Sequence, residues 1–300
     1  MNAEQLRNEW TIRNNNTPVS TYIDQIKPIK AEGAEFLAIL YRDNNAGDNT
    51  KPIGSIGSLN IFSRRRLRAP YHVTLWSIDD PYIQPGKQFS EWRWCISPQN
   101  LEDAIEFACH THFVVTLSTV KSGASEPLGM HFQAVPKVIE WNGAEYELFS
   151  SLLRSQSKSD DFGRQKRSAL QISILEYPAF VVKIAGQKRD VCEKALALCL
   201  GYDFLRTFNL IIARLGKEQD GREVALYWFP RRFDGQVVPR KYEQYRWAFG
   251  AFEMAGVFLT GNEEIYDDLR FMDLSEALRE VSVQEQSPEE RILANLLRYP

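Results

Sequence analysis

Phe113 to Lys137, FVVTLSTVKSGASEPLGMHFQAVPK, limits the possible folds more than any other stretch of the chain. It is an apolar run, a small-residue connection, a second apolar run and then Pro136. Phe113-Val114-Val115-Thr116-Leu117 is rich in β-branched side chains, which crowd a helix but sit well on a pleated surface, so it predicts a buried strand. Ser122-Gly123-Ala124-Ser125 predicts a tight polar connection, and Met130 to Ile139 a second strand. Side chains alternate along a strand, so His131, Gln133 and Val135 share one face, while Met130, Phe132 and Ala134 take the other. Two strand rises separate the His from the Gln by ~7 Å.

A histidine beside an amide, with a Gly/Ser loop before them, suits chemistry on a phosphate. Neutral imidazole is nucleophilic at physiological pH because its ordinary pKa is about 6.5. Attack on the α-phosphorus of a nucleotide would give a covalent nucleotidyl-histidine and split one displacement into two easier ones. The Gln133 amide can donate to a phosphate oxygen, as can the hydroxyls and backbone N–H groups of Ser122, Gly123 and Ser125. The competing reading of His131 is a structural strand histidine.

SGASEPLGMHFQAVP resembles the active-site stretch of the histidine-triad and galactose-1-phosphate uridylyltransferase superfamily, nearest the diadenosine tetraphosphate phosphorylase and GDP-sugar phosphorylase branch. That branch has a small-residue loop followed by H-x-H-x-Q, with the second His as nucleophile. The resemblance places the nucleophile at His131 and the Gln at Gln133; the first His of the pattern falls on Gly129. It implies an α+β fold of duplicated histidine-triad-like halves with antiparallel sheets. Further matches lie elsewhere. Pro70, His72 and Leu75 are similar to a nucleotide-bordering strand, so His72 is either a nucleotide contact or a buried structural residue. Phe208-Asn209-Leu210-Ile211, Phe229-Pro230-Arg231 and Glu253-Met254-Ala255-Gly256 resemble, in order, the signatures N-L-L-I, F-P-R and E-x-x-G. Arg231 or Arg232 would then reach a phosphate, the alternative being surface arginines after a strand.

Composition narrows the alternatives. At 300 residues, 44% hydrophobic and 25% charged, the chain reads as an ordinary globular protein of one large or two smaller domains. A net charge of −3 gives no overall attraction to nucleic acid or anionic membrane. No apolar run approaches the ~20 residues of a spanning helix, and MNAEQLRNEW lacks a signal-peptide core, so a cytoplasmic location is expected. Cys95, Cys109, Cys192 and Cys199 form no C-x-x-C pair, which argues against a zinc site or a disulfide framework. His110 and His112 lack companion ligands, and neither a metal nor a cofactor is expected.

Along the chain, Ala3 to Asn14 predicts a helix and Phe36 to Tyr41 a strand. Leu59 to Phe62 and Tyr71 to Ile78 predict two strands around Arg64-Arg65-Arg66-Leu67-Arg68. That cluster is either solvated surface or, through Arg66 and Arg68, a phosphate contact. Ser97 and Pro98 open a helix as N-cap and N1, with Glu102 and Asp103 near its positive end. Residues 150 to 168 are polar and Ser-rich and predict a linker or exposed loop, dividing the chain into 1–150 and 151–300. Strand, strand, helix, strand, strand then recurs from Ala169 to Phe229. The second half holds no His and so no second histidine nucleophile.

These readings lead to a nucleotidyltransferase of phosphorylase type. It would move a nucleoside monophosphate from a dinucleoside polyphosphate or nucleotide sugar, through His131, to phosphate or a sugar phosphate. A catalytically inactive nucleotide-binding protein of the same fold is the first alternative, and an unrelated α+β interaction module the second. The expected partners are the nucleotide substrate and phosphate, with neither nucleic acid nor membrane, in a monomer or homodimer.

Overall fold

A computed structural model describes residues 2–13, 23–31, 34–41, 52–63, 72–77, 96–119, 131–159, 170–201, 207–215, 223–232, 236–284, 287, 290, 291 and 297. The chain opens with helix α1 (Ala3–Arg13) and strands β1 (Ile23–Ala31), β2 (Ala34–Tyr41), β3 (Gly54–Ile56), β4 (Leu59–Ser63) and β5 (Val73–Ser77). Helix α2 (Pro98–Thr111) leads into β6 (Phe113–Ser118), β7 (His131–Pro136), β8 (Val138–Trp141) and β9 (Ala144–Glu147). Then come α3 (Ser150–Leu153), β10 (Ser157–Ser159), β11 (Gln171–Leu175), β12 (Val182–Gln187) and α4 (Lys188–Gly201). Strands β13 (Phe208–Arg214) and β14 (Glu223–Pro230), helix α5 (Ala251–Met254), β15 (Val257–Thr260), α6 (Glu263–Asp268) and α7 (Phe271–Glu280) complete the order.

The resulting fold is α+β. Ten strands form one sheet in the order β10-β11-β12-β14-β13-β6-β7-β5-β4-β3. Taken inward from its two edges the order repeats: β3, β4, β5, β7, β6 from one side and β10, β11, β12, β14, β13 from the other. Each set carries one long helix at the same place in chain order, α2 or α4. The duplicated halves are thus present, but they share one continuous sheet rather than holding a sheet each. The joint is the antiparallel pair β6–β13, in register at Ser118↔Asn209 and Thr116↔Ile211.

Both faces of the sheet are covered. On one, Val115, Leu117, Phe132, Ala134, Leu210 and Trp228 pack under α2 and α4. Each such apolar side chain contributes roughly 1.5–3 kcal/mol relative to exposure. The other face meets α5, α7 and a three-stranded sheet, β1-β2-β15, whose β15 runs parallel to β2. Sequence pattern did not mark β1, because Ile23-Asp-Gln-Ile-Lys-Pro-Ile-Lys-Ala is interrupted by Pro28 and two lysines. The sheet tolerates Pro28 because β1 is an edge strand, with β2 its sole partner.

Helix α2 begins as its sequence predicts: the Ser97 hydroxyl accepts the Asn100 N–H at 3.0 Å and Pro98 occupies the first turn. His112 ends it in the left-handed region, at φ 58°. Asp103 does not serve the helix dipole. It is buried and accepts from the Ser58 N–H at 2.7 Å and the Ser58 hydroxyl at 2.6 Å, tying α2 to the turn between β3 and β4. Gly57 makes that turn possible: its φ is +52°, and a Cβ there would lie 2.1 Å from an Asp103 carboxylate oxygen. Of the polar stretch 150–168, residues 160–168 lie outside the described residues, and 150–159 are more ordered than their composition predicts. Ser150, Ser151 and Leu152 are buried in α3, and Ser157–Ser159 adds a strand to the sheet.

Candidate active site

The second face of the sheet becomes polar where its two halves meet. Alternation on β7 puts His131 and Gln133 on this face, and the register fixes what stands beside them. Asn60 opposes Trp76, and Trp76 opposes His131. One step beyond the Leu117↔Phe132 pair, the same register sets Ser118 opposite His131, and Ser118 pairs in turn with Asn209. The next row runs Phe62, Thr74, Gln133, Thr116, Ile211 and Tyr227. His131 and Gln133 therefore stand on neighbouring rows of one strand, flanked on both sides by hydroxyl-bearing or aromatic side chains.

His131 is 6% exposed, and the indole of Trp76 stacks on its ring with centroids 4.5 Å apart and planes 15° apart. On the other side a polar chain runs into the second half. Ser118 Oγ accepts from Asn209 Nδ2 at 3.1 Å and from the Ala251 backbone N–H at 2.9 Å. A hydroxyl has two acceptor lone pairs, so both are engaged and its own O–H is left to donate. Asn209 Oδ1 accepts from Arg231 Nη1 at 3.2 Å, and Arg231 Nη1 also donates to the Phe249 carbonyl at 3.1 Å. Glu253, whose carboxylate accepts the Gly250 N–H at 2.9 Å, lies close enough to act on Arg231 electrostatically. Burial pulls the Arg231 pKa down and Glu253 opposes that pull. The guanidinium stays protonated at neutral pH.

The sequence-predicted residues are thus distributed unevenly. His131 and Gln133 are together. His72, two residues before Thr74 on β5, is fully buried; its carbonyl accepts the Trp10 indole N–H at 3.2 Å and its ring meets Phe252 edge-on at 5.8 Å. Arg231 is fully buried in the chain just described, not presented to solvent. Arg232 donates to the Glu280 carbonyl at 3.4 Å. Arg66, Arg68, Ser122, Gly123, Ser125 and Gly129 lie outside the described residues. Trp76 and Ser118 joined the site without being read from sequence, and Asn209 and Glu253 were read only as parts of the N-L-L-I and E-x-x-G resemblances, with no role given. A signal for two of them was present: Thr116 and Ser118 alternate with Val115 and Leu117, and Asn209 interrupts an apolar run.

Among the described residues, no group of three or more His, Cys, Asp or Glu side chains comes together as metal ligands. His110 pairs with Glu106 at 3.1 Å, and His112 Nε2 lies 2.8 Å from Arg214 Nη1. Cys109, Cys192 and Cys199 are buried, and burial pushes the Cys192 thiol up to about 11. No described helix is long and apolar enough to cross a membrane. A cavity of about 930 Å³ opens elsewhere, against Tyr177, Phe180, Phe271 and Arg279 of the second half, and shares no lining residue with the His131 row.

No family model matches the chain, and no curated protein matches it in sequence. Solved structures do. The yeast Ap4A phosphorylase Apa2 in complex with AMP aligns with a TM-score of 0.58 and 14% identity, over 96% of this chain and 99% of that one. The same enzyme in complex with Ap4A aligns with a TM-score of 0.55 and 14% identity, over 96% and 100%. The chain has the fold of the Ap4A phosphorylase Apa2. At the level of the fold this agrees with the branch that the sequence resembles, across nearly the whole length of both proteins. An Ap4A-phosphorylase fold also sets aside the reading of the chain as an unrelated α+β module. With 14% identity most side chains differ, so the shared fold describes the scaffold and leaves the chemistry to be argued from His131 and its neighbours.

Proposed function

We propose that this protein is a nucleotidyltransferase of phosphorylase type, in which His131 takes a nucleoside monophosphate from a nucleotide conjugate and passes it to phosphate or a sugar phosphate. The observation that carries the reading is the pairing of His131 with Gln133 on β7, on a scaffold that in Apa2 holds AMP and Ap4A. A dinucleoside polyphosphate or a nucleotide sugar fits this chemistry. A ring nitrogen of His131 attacks the α-phosphorus. The Gln133 amide and the Ser118 hydroxyl, both on the His131 face, donate to the nonbridging oxygens as charge builds on them. Ser122, Gly123 and Ser125 complete this set of donors, with Arg66, Arg68 and Arg232 as further cationic contacts. Phosphate then displaces His131 and regenerates the free imidazole. The two halves, 1–150 and 151–300, divide the labour: the first carries the nucleophile and the second closes the site behind it. We place the protein in the cytoplasm as a monomer or homodimer.

A second reading is favoured by one residue. Gly129 stands where the related pattern has its first His, and a protein of this fold that binds nucleotide without reacting would carry such a change.

A panel of nucleotide conjugates labelled on the α-phosphate separates the two. The proposed enzyme retains label on the protein through a phosphoramidate, which acid releases, and His131→Asn abolishes the label while the protein still binds nucleotide. Binding with no His131-dependent label across all common bases retires the enzymatic reading in favour of the second.

A further inference from the structure

The stacking of Trp76 on His131 has a chemical role of its own. The two residues are cross-strand partners on β5 and β7. Their rings are nearly parallel, 15° apart with centroids at 4.5 Å, and Trp76 is the more exposed of the two. The indole therefore covers one face of the imidazole. The indole does not itself cover the ring edge, where both nitrogens and their in-plane lone pairs lie, although Nε2 is buried by the surrounding protein. Such a stack fixes the plane of the nucleophile without obstructing its attack.

We propose that Trp76 is a positioning residue for His131, holding the imidazole plane and stabilising the positive charge that the ring acquires on nucleotidylation. This rests on the reading of His131 as nucleophile. In that step the lone pair of one ring nitrogen forms the N–P bond. The P–O bond to the departing group breaks, and its electron pair leaves with the oxygen. The other ring nitrogen keeps its proton, so the nucleotidylated ring is a cation. A cation against an aromatic face is drawn to the ring's negative quadrupole, most strongly for Trp. The neutral imidazole of the resting protein gains less from the same contact. The difference falls on the transition state and intermediate, so it acts on rate rather than on nucleotide affinity. Among the described residues, the other charged or titratable groups on this face near the joint of the halves are Arg231 and Glu253, which act against each other, and His72, enclosed under Phe252.

The test compares the parent protein with Trp76→Phe and Trp76→Leu in three measurements: the single-turnover rate of labelling, nucleotide affinity, and the titration of the His131 ring by NMR without nucleotide. Trp76→Leu fills most of the space but has no quadrupole. It should slow labelling about tenfold, leave affinity within about twofold, and lower the His131 pKa relative to the parent. Trp76→Phe keeps an aromatic face and should restore most of the rate. Labelling by Trp76→Leu at the parental rate overturns the proposal. So does an equal loss in both variants with the His131 titration unmoved, since that pattern belongs to simple packing. A parent that never labels defeats the proposed function instead. The NMR titration still decides the role of Trp76 in that case: a lowered pKa in Trp76→Leu sustains it, and an unchanged one ends it.

Discussion

The two halves of the ten-stranded sheet place a ring contact at corresponding strand pairs and put it to different uses. In the first half, β5 and β7 bring the indole of Trp76 over the imidazole of His131. In the second, β12 and β14 pair Lys183 with Tyr227, and the Lys183 ammonium sits 6.0 Å from the Tyr227 ring centroid. Burial raises the Tyr227 pKa and lowers that of Lys183. The Tyr227 hydroxyl has no hydrogen-bond partner among the described residues. The first pair contains an imidazole, the side chain whose ordinary pKa lies nearest neutrality. The second is packing, with its polar atoms held where they are hard to ionise or solvate. A duplicated scaffold therefore supports a histidine–indole stack on one side and a packed wall on the other, and the polar chain Ser118–Asn209–Arg231 joins them across β6 and β13.

The severest way to break this arrangement is to remove its buried cation. Arg231→Met leaves the Glu253 carboxylate buried without its compensating charge, and breaking a buried pair costs about 3–5 kcal/mol. Chemical denaturation should show a loss of that order, and Arg231→Met with Glu253→Gln should recover most of it. A loss within about 0.5 kcal/mol, the range of an ordinary surface change, would mean the chain contributes little to joining the halves.

A change on the reactive side alone should leave stability nearly untouched and act on rate. Gln133→Ala is expected to slow His131 labelling by about 10²–10³-fold, the usual consequence of losing one donor to a developing oxyanion. An unchanged rate in single-turnover assays would remove Gln133 from the chemistry.

The mildest effect belongs to the wall. Lys183 titrates below the ordinary 10.5 in the folded protein because burial disfavours its charged form. The unfolded chain then binds more protons over the interval between the two values, so stability rises with pH there. Lys183→Met should raise the melting temperature at pH 7 to 8, and its advantage should shrink as the pH climbs through the depressed pKa towards 10.5. A constant advantage across that range would assign the gain to packing rather than to the relieved charge.

Sequence reading recovered the elements whose causes are local. The β-branched run of β6, the alternation on β7 and the Ser97-Pro98 start of α2 are each set by neighbours a few residues away. The positions it missed depend on partners far along the chain. Asp103 looks like a helix-dipole residue until Ser58, 45 residues earlier, takes its carboxylate. Arg231 follows an apolar strand and reads as a phosphate contact or a surface arginine until Asn209, Phe249 and Glu253 enclose it. Trp76 and His131 have no sequence relation beyond the register that brings β5 beside β7. His131 and Gln133 themselves were legible because their relation is internal to one strand.

The strand order also governs how this protein meets copies of itself. A wide sheet invites further strands to add at its margins, where backbone N–H and C=O groups lack partners. Among the described residues both margins of the ten-stranded sheet are short: β3 spans Gly54–Ile56 and β10 spans Ser157–Ser159, three residues each. Strands of that length offer an incoming chain only a few hydrogen bonds, so the sheet is blunted against open-ended growth. Copies joined along this sheet would gain little from pairing β3 or β10; among the described residues the longer backbone margin is β1 of the three-stranded sheet, nine residues broken by Pro28.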